Sequence, residues 1–174
     1  MIVETLAPRA LEDGAALPGP LLTELTALYA SNRAFQQLSG DFPDPDDIRP
    51  EQVATALADE LAQPGAEVLL ARSEGRLVAV AVTLAHHPDQ ADPDPWLGLL
   101  LVHAEEHRAG HGRCLAAYVE NHFRIEGRTG LRLAVLENNP EALAFWTSQG
   151  YEEIARRPDL DHGRPCVVMR KSLT

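Results

Sequence analysis

An uncharged apolar run that ends in a glycine-broken basic loop constrains this chain more than any other stretch. The run is WLGLLLV at 96–102, and the sequence continues as HAEEHRAGHG to Gly112 and RCLAAYVENHF to Phe123. A continuous apolar run reads as a strand covered on both faces, because a strand with one wet face would alternate. Such a strand sits inside a sheet with helices on both sides. Helical periodicity begins after Gly110, through Cys114, Leu115, Tyr118, Val119 and His122. The order strand, loop, helix brings the helix N-terminus, with its unpaired amides and partial positive charge, to the end of the strand. Gly110 and Gly112 let an anion approach the backbone, and His107, Arg108 and Arg113 add positive charge. The stretch is an anion site or a plain helix start. It has neither the lysine of GxxxxGK[ST] nor the full GxGxxG pattern. His103, His107 and His111 would align as metal ligands only on a helix, and Gly110 puts the helix start later, so no metal is expected.

Around this stretch the elements follow from periodicity and turn residues. Ile2–Leu6 reads as a strand. A helix opens near Pro20 and carries Leu21, Leu22, Leu25, Leu28 and Tyr29 before fading near Asn32. GDFPDPDDIRP at 40–50 is an aspartate- and proline-rich loop, and Pro50 opens a second helix that Pro64-Gly65 ends. Val68–Arg72 and Leu77–Leu84 form a hairpin across Ser73-Glu74-Gly75. HHPDQADPDP at 86–95 is a second acidic loop. After the central strand and helix come a strand at 131–136, a helix at 141–149 stopped by Gly150, and two last strands across an Asp-His-Gly turn at 161–163. The order β-α-α-β-β-β-α-β-α-β-β gives one mixed α/β (α+β) domain over residues 1–174, with a mostly antiparallel sheet flanked by helices.

Composition narrows the partners. Twenty-six acidic against 15 basic side chains give a net charge of −11, which opposes binding to nucleic acid or an anionic membrane. Two cysteines, Cys114 and Cys166, make neither a disulfide framework nor a zinc set, so a reducing, cytoplasmic setting is expected. The opening MIVETLAPRA has no apolar core of a signal peptide, and no stretch reaches the roughly 20 apolar residues of a membrane span.

Two segments together resemble the GNAT superfamily of N-acetyltransferases. In that family a strand ending in L-x-V is followed after four residues by [QR]-x-x-G-x-[GA], and LLVHAEEHRAGHG, Leu100 to Gly112, is similar to it in length and order. A later segment, V-x-x-x-N-x-x-A-x-x-x-[YFW]-x-x-x-G-[FY], is matched by Val135, Asn139, Ala142, Trp146, Gly150 and Tyr151. The resemblance implies a GNAT-type fold and acetyl-CoA as co-substrate. It implies that backbone amides of His107, Arg108, Ala109, Gly110, His111, Gly112 and Arg113 hold the pyrophosphate. It also implies that the strand backbone of Leu100, Leu101 and Val102 pairs with the pantetheine arm. By the same resemblance the Leu100 amide polarises the thioester carbonyl, Asn139 bonds the pantetheine, and Ala142, Phe145 and Trp146 line its channel. Dimers are common in the family. The chain departs from the family pattern in having His107 at the Arg/Gln position, and Trp146 where many members place an acidic tyrosine.

The implied reaction is direct attack of a small molecule's primary amine on the thioester. A neutral amine is needed, and deprotonating an alkyl amine at neutral pH costs roughly 4 kcal/mol. Two-residue alternation would put Trp96, Gly98, Leu100 and Val102 on one face, none of which titrates. His86, His87 and Glu105 are the nearby titratable groups, and no base or acid is assigned among them. Asp41, Asp44, Asp46 and Asp47 in the first acidic loop, and Asp89, Asp92 and Asp94 in the second, suggest a cationic acceptor. The competing reading is a CoA-binding module that has lost catalysis and serves as a sensor or partner.

Overall fold

The computed structural model describes residues 1–6, 17–89 and 91–174. The rest of MIVETLAPRA after Leu6, and Gln90 of the second acidic loop, lie outside them. The elements are β1 (Ile2–Leu6), α1 (Gly19–Ser31), α2 (Arg33–Ser39), α3 (Pro50–Leu61), β2 (Ala66–Ser73), β3 (Arg76–Leu84), β4 (Trp96–Val102), α4 (His111–Ile125), β5 (Gly130–Leu136), α5 (Pro140–Ser148), β6 (Glu152–Pro158) and β7 (Pro165–Ser172). A single 3₁₀ turn, Ala104–Glu106, lies between β4 and α4. The strands form one sheet in the order β1-β2-β3-β4-β5-β7-β6. Every neighbouring pair is antiparallel except β4 and β5.

Local chemistry explains most boundaries. The β2–β3 turn has Glu74 at φ 51° and Gly75 at φ 82°. Two residues in the left-handed region are what a type I′ hairpin turn requires. In α3, Pro50 occupies the first turn and the Arg49 amide donates to Gln52 Oε1 at 2.9 Å. One helix exceeds the sequence expectation. The chain breaks at Asn32 (φ −90°, ψ 47°) and resumes as α2, a helix of seven residues too short and too mixed to carry a visible period.

Two cores sandwich the sheet. On one face Leu115, Val119 and Phe123 of α4, with Trp146 of α5, pack against Leu69, Val78, Leu97, Leu131, Leu133, Val167 and Met169. On the other, Leu25, Leu28 and Tyr29 of α1 and Val53 and Leu57 of α3 cover Val68, Leu70, Val80, Val82 and Leu101. The apolar β4 is thus buried from both sides, as its composition demands. Glu24 ties α1 to the β2–β3 hairpin by a two-pronged bond to Arg72, at 2.9 and 2.7 Å, and by accepting from the Leu77 amide.

Candidate active site in the gap between β4 and β5

β4 and β5 share a single register pair, Trp96 with Arg132, and then part. The antiparallel register with β3 decides what the parted edge offers. His103 donates its amide to the Val78 carbonyl at 2.8 Å, which makes the facing pairs Val80–Leu101 and Val82–Leu99 the hydrogen-bonded ones. Leu100 and Val102 therefore turn their peptide groups away from β3, into the gap. Leu101 does the opposite. Its peptide is directed to β3 and its side chain joins the core under α1 and α3, so Leu101 presents nothing to the gap.

The bulge at Gly98 overturns the simple alternation of β4. Val82 faces Leu99 and Thr83 faces Leu97, so Gly98 is an extra residue in the strand. Beyond it Leu97, not Gly98, shares a side with Leu100 and Val102.

The Val102 carbonyl is held twice, by Asn32 Nδ2 at 3.0 Å and by the His107 ring at 2.9 Å. Ser31 Oγ accepts from the Ala104 amide at 3.0 Å. The corner between α1 and α2 thus fastens the exit of β4. No periodicity or motif marks Ser31 or Asn32, because their partners lie some seventy positions away.

In the loop itself, the His107 and Ala109 amides turn inward to the carbonyls of Ala104 and Glu106. Arg108 at φ 65° and Gly110 at φ 88° then coil the chain tightly into α4, and Gly110 is in a conformation that a glycine adopts without strain. The first intrahelical bond runs from Cys114 to the Gly110 carbonyl at 3.0 Å, and no side chain caps the helix. Among the described residues, the amides of Arg108, Gly110, His111, Gly112 and Arg113 are left without a protein acceptor. Open N–H groups at and just before a helix N-terminus, here called the cradle, are of the kind that receives an anion. The nearby carboxylates are engaged elsewhere: Glu106 lies 3.4 Å from Arg76 and 3.5 Å from His111, and Glu105 lies 3.9 Å from Arg76. The three histidines do not converge, for His103 accepts from the Glu105 amide, His107 reaches Val102, and His111 faces Glu106.

α5 closes the far side of the gap. A Cβ at Gly112 would lie 3.4 Å from Val102 Cγ2, 3.6 Å from Phe145 Cζ and 3.8 Å from Leu100 Cδ2. The helix start, the strand edge and Phe145 therefore meet at Gly112.

The profile of the acetyltransferase (GNAT) family matches residues 31–151, well over half of the chain. The chain belongs to this family. As a GNAT acetyltransferase it is an acyltransferase. In fold it is similar to an acetyltransferase from Thermus thermophilus, at 18% identity over 99% of this chain and 97% of the other, TM-score 0.70. It is similar to the ribosomal-protein-S18-alanine N-acetyltransferase of Escherichia coli, at 16% identity over 99% and 95%, TM-score 0.60. An aminoglycoside 6′-acetyltransferase type Ii aligns at 16% identity over 100% and 98%, TM-score 0.67. Comparison with curated protein sequences gives no significant match.

Within this GNAT domain, Asn139 caps α5, its Oδ1 accepting from the Ala142 amide at 3.1 Å and its Nδ2 remaining a donor. Ala142 and Phe145 are half-buried beside Leu100 and Val102. Trp146 turns into the core, 8% exposed and edge-on to Tyr151 at 5.1 Å. Tyr151 is itself 1% exposed, and its hydroxyl has no hydrogen-bond partner among the described residues. Burial, with Glu120 nearby, pushes that hydroxyl well above the usual tyrosine range.

Five of the seven loop aspartates are paired with arginines within the chain. Asp46 pairs with Arg33, Asp47 with Arg49 at 2.8 Å, and Asp41 with Arg164 at 2.9 Å. Asp44 accepts from the Asp46 amide, and Asp89 from that of Ala91. Asp92 and Asp94 are buried. Asp92 accepts from Trp96 Nε1 at 3.0 Å and lies 3.1 Å from Arg132, while Asp94 accepts from Arg132 and Arg170 at 2.8 Å each. Charge on these loops is therefore no guide to the acceptor. His86, 3.5 Å from Arg128, and His87, stacked on Trp96 at 4.8 Å, stand where β4 begins, whereas the gap opens where it ends.

Proposed function

We propose that this chain moves the acetyl group of acetyl-CoA to the primary amine of a small-molecule acceptor in the cytoplasm, by direct attack in the gap between β4 and β5. One observation carries the reading: the peptide groups of Leu100 and the open amides of the α4 cradle border the same gap. The amides of Arg108 and of Gly110 through Arg113, with the guanidiniums of Arg108 and Arg113, suit a pyrophosphate. Leu100 and the Val102 amide suit an extended amide-bearing arm, which would add to β4 as a strand does. Ala142 and Phe145 wall the arm, and Asn139 Nδ2 offers it a donor. Acetyl-CoA supplies an acyl group activated as a thioester.

The chain's own contribution is positional and electrostatic. On this reading the Leu100 N–H would meet the negative charge that grows on the carbonyl oxygen, and a fixed amide that the bound arm covers stabilises that charge without reorganising. The clamp of Asn32, Ser31 and His107 on the exit of β4 fixes this amide relative to the cradle. Leu100, Val102 and Phe145 are apolar, so with the arm bound the walls of the gap would exclude competing water.

Calorimetric titration with acetyl-CoA, followed by thiol release across a panel of primary amines, tests the reading. Binding together with amine-dependent release of coenzyme A is expected. Binding without release for any amine, small or peptide, would support the sensor reading instead. No binding at all would remove the cradle from the account.

A further inference from the structure

A second basic concavity lies where β4 begins, at the opposite end of that strand from the cradle. Its volume is about 280 Å³, and Asp94, Arg128, Thr129, Arg132 and Arg170 are among its lining residues. This is below the usual range for drug-sized ligands, so it suits a small ion. It is built rather than incidental. Across the β5–β7 ladder Arg170 faces Arg132 and Gly130 faces Ser172, and the Arg170 side chain leans back over Gly130, where a Cβ would overlap its guanidinium. The guanidinium thus occupies the space that a side chain at position 130 would take.

The hydrogen-bond account leaves donors over. Each guanidinium carries five N–H groups. Arg132 Nε and Arg170 Nε both donate to Asp94 Oδ2, and Arg170 Nη2 reaches Asp94 Oδ1 at 3.4 Å and the Thr129 carbonyl at 3.5 Å. Arg132 Nη1 faces Asp92, and Arg128 Nη2 donates to the Ala85 carbonyl at 3.2 Å. Among the described residues, Arg128 Nε and Nη1, Arg132 Nη2 and Arg170 Nη1 have no acceptor. Arg157 also lies 3.8 Å from Asp92, so four guanidiniums stand against two carboxylates. In a chain of net charge −11 this local excess of positive charge is the reverse of the average surface.

We infer that this concavity is a binding site for a small oxyanion, a carboxylate or a phosphate, held by Arg128, Arg132 and Arg170. Guanidinium forks match both anions, which offer the paired oxygens that the spare N–H groups lack. The inference does not depend on acetyl transfer. Its test must separate this site from the α4 cradle, which also attracts anions. Orthophosphate and malonate are titrated calorimetrically into the wild type, Arg128→Gln and Arg113→Glu, the last placing a carboxylate in the cradle. Arg128 is chosen because it does not hold Asp94, and an unchanged melting temperature in anion-free buffer checks its fold.

At least one anion should bind Arg113→Glu as strongly as the wild type, while Arg128→Gln weakens it about tenfold, the loss of one charge-assisted bond. The stronger of the two anions names the class. In the wild type, the Nε–H resonances of Arg132 and Arg170 should move on titration, a readout that needs no variant. Binding abolished by Arg113→Glu, equal binding by Arg128→Gln, or static arginine resonances would each overturn the inference.

Discussion

Gly112→Ala separates packing from binding at the opening of the gap. The new methyl would meet Val102 Cγ2 at 3.4 Å, Phe145 Cζ at 3.6 Å and Leu100 Cδ2 at 3.8 Å. All three are ordinary contacts or within a few tenths of an ångström of one. Gly112 is the second residue of α4, and glycine in a helix is less favourable than alanine by about 0.5 to 1 kcal/mol. The variant should therefore be as stable as the wild type or melt up to about 4 °C higher, at roughly 2–4 °C per kcal/mol for a domain of this size. Binding should move the other way. The methyl fills the point where strand, helix and Phe145 converge, next to the Gly112 amide. Loss of one hydrogen bond to a charged group, about 1.5 to 3 kcal/mol, corresponds to a 10- to 100-fold weaker acetyl-CoA affinity. Differential scanning calorimetry and isothermal titration read the two effects on one preparation. Unchanged affinity with raised stability would refute the assignment of this amide to the cradle. Lowered stability would refute the packing argument itself.

Other perturbations reach different parts of the structure. Asp94→Asn removes the charge that Arg132 and Arg170 share and should cost about 2 to 4 kcal/mol, read by thermal melting at pH 7. Burial favours the neutral form of Asp94, but the bonds from Arg170 and Arg132 outweigh it and hold the carboxyl below its usual range. That contribution is present above the unfolded value near pH 4 and is lost as pH falls through the lower folded value, so wild type and variant should converge in acid. Glu60 behaves oppositely, because burial and then Asp161, Asp41 and Asp59 push its carboxyl up. Ionised at pH 7 it opposes folding, so Glu60→Gln should raise the melting temperature there, with the gain shrinking as pH drops towards 4; a lower melting temperature at pH 7 would contradict this. Asn32→Ala removes one of two donors to the Val102 carbonyl and should raise the KM for acetyl-CoA about fivefold with a smaller change in kcat. An effect on stability alone would reduce Asn32 to a scaffold residue.

What the sequence displayed was whatever depends on near neighbours. The apolar β4, the glycine loop and the hairpin turn at Ser73-Glu74-Gly75 each rest on residues within a few positions of one another. The gap itself was not legible, since nothing in LRLAVL states that β5 touches β4 only once; the resemblance offered only that the backbone of Leu100 to Val102 would pair with an arm. The bulge at Gly98 was hidden because one extra residue leaves the hydrophobic composition unchanged while reversing every later facing. The acidic loops misled for a related reason. Arg164 follows its partner Asp41 by 123 positions, and Arg170 follows Asp94 by 76, so a string that reads as unopposed negative charge is in large part paired in space. α2 escaped because Asn32 breaks the helical phase and seven residues are too few to restart it.

The parting of β4 from β5 reverses a common rule of protection against solvent hydrogen exchange. Amides at the centre of a seven-stranded sheet ordinarily exchange only when the whole domain opens. The Leu100 and Val102 amides sit on the fourth of seven strands, yet no neighbouring strand receives them. They should exchange far faster than the Leu99 and Leu101 amides, which are directed to β3, so fast and slow positions alternate along one strand. An arm bound in the gap would erase the alternation, turning the middle of the sheet into its own reporter of occupancy.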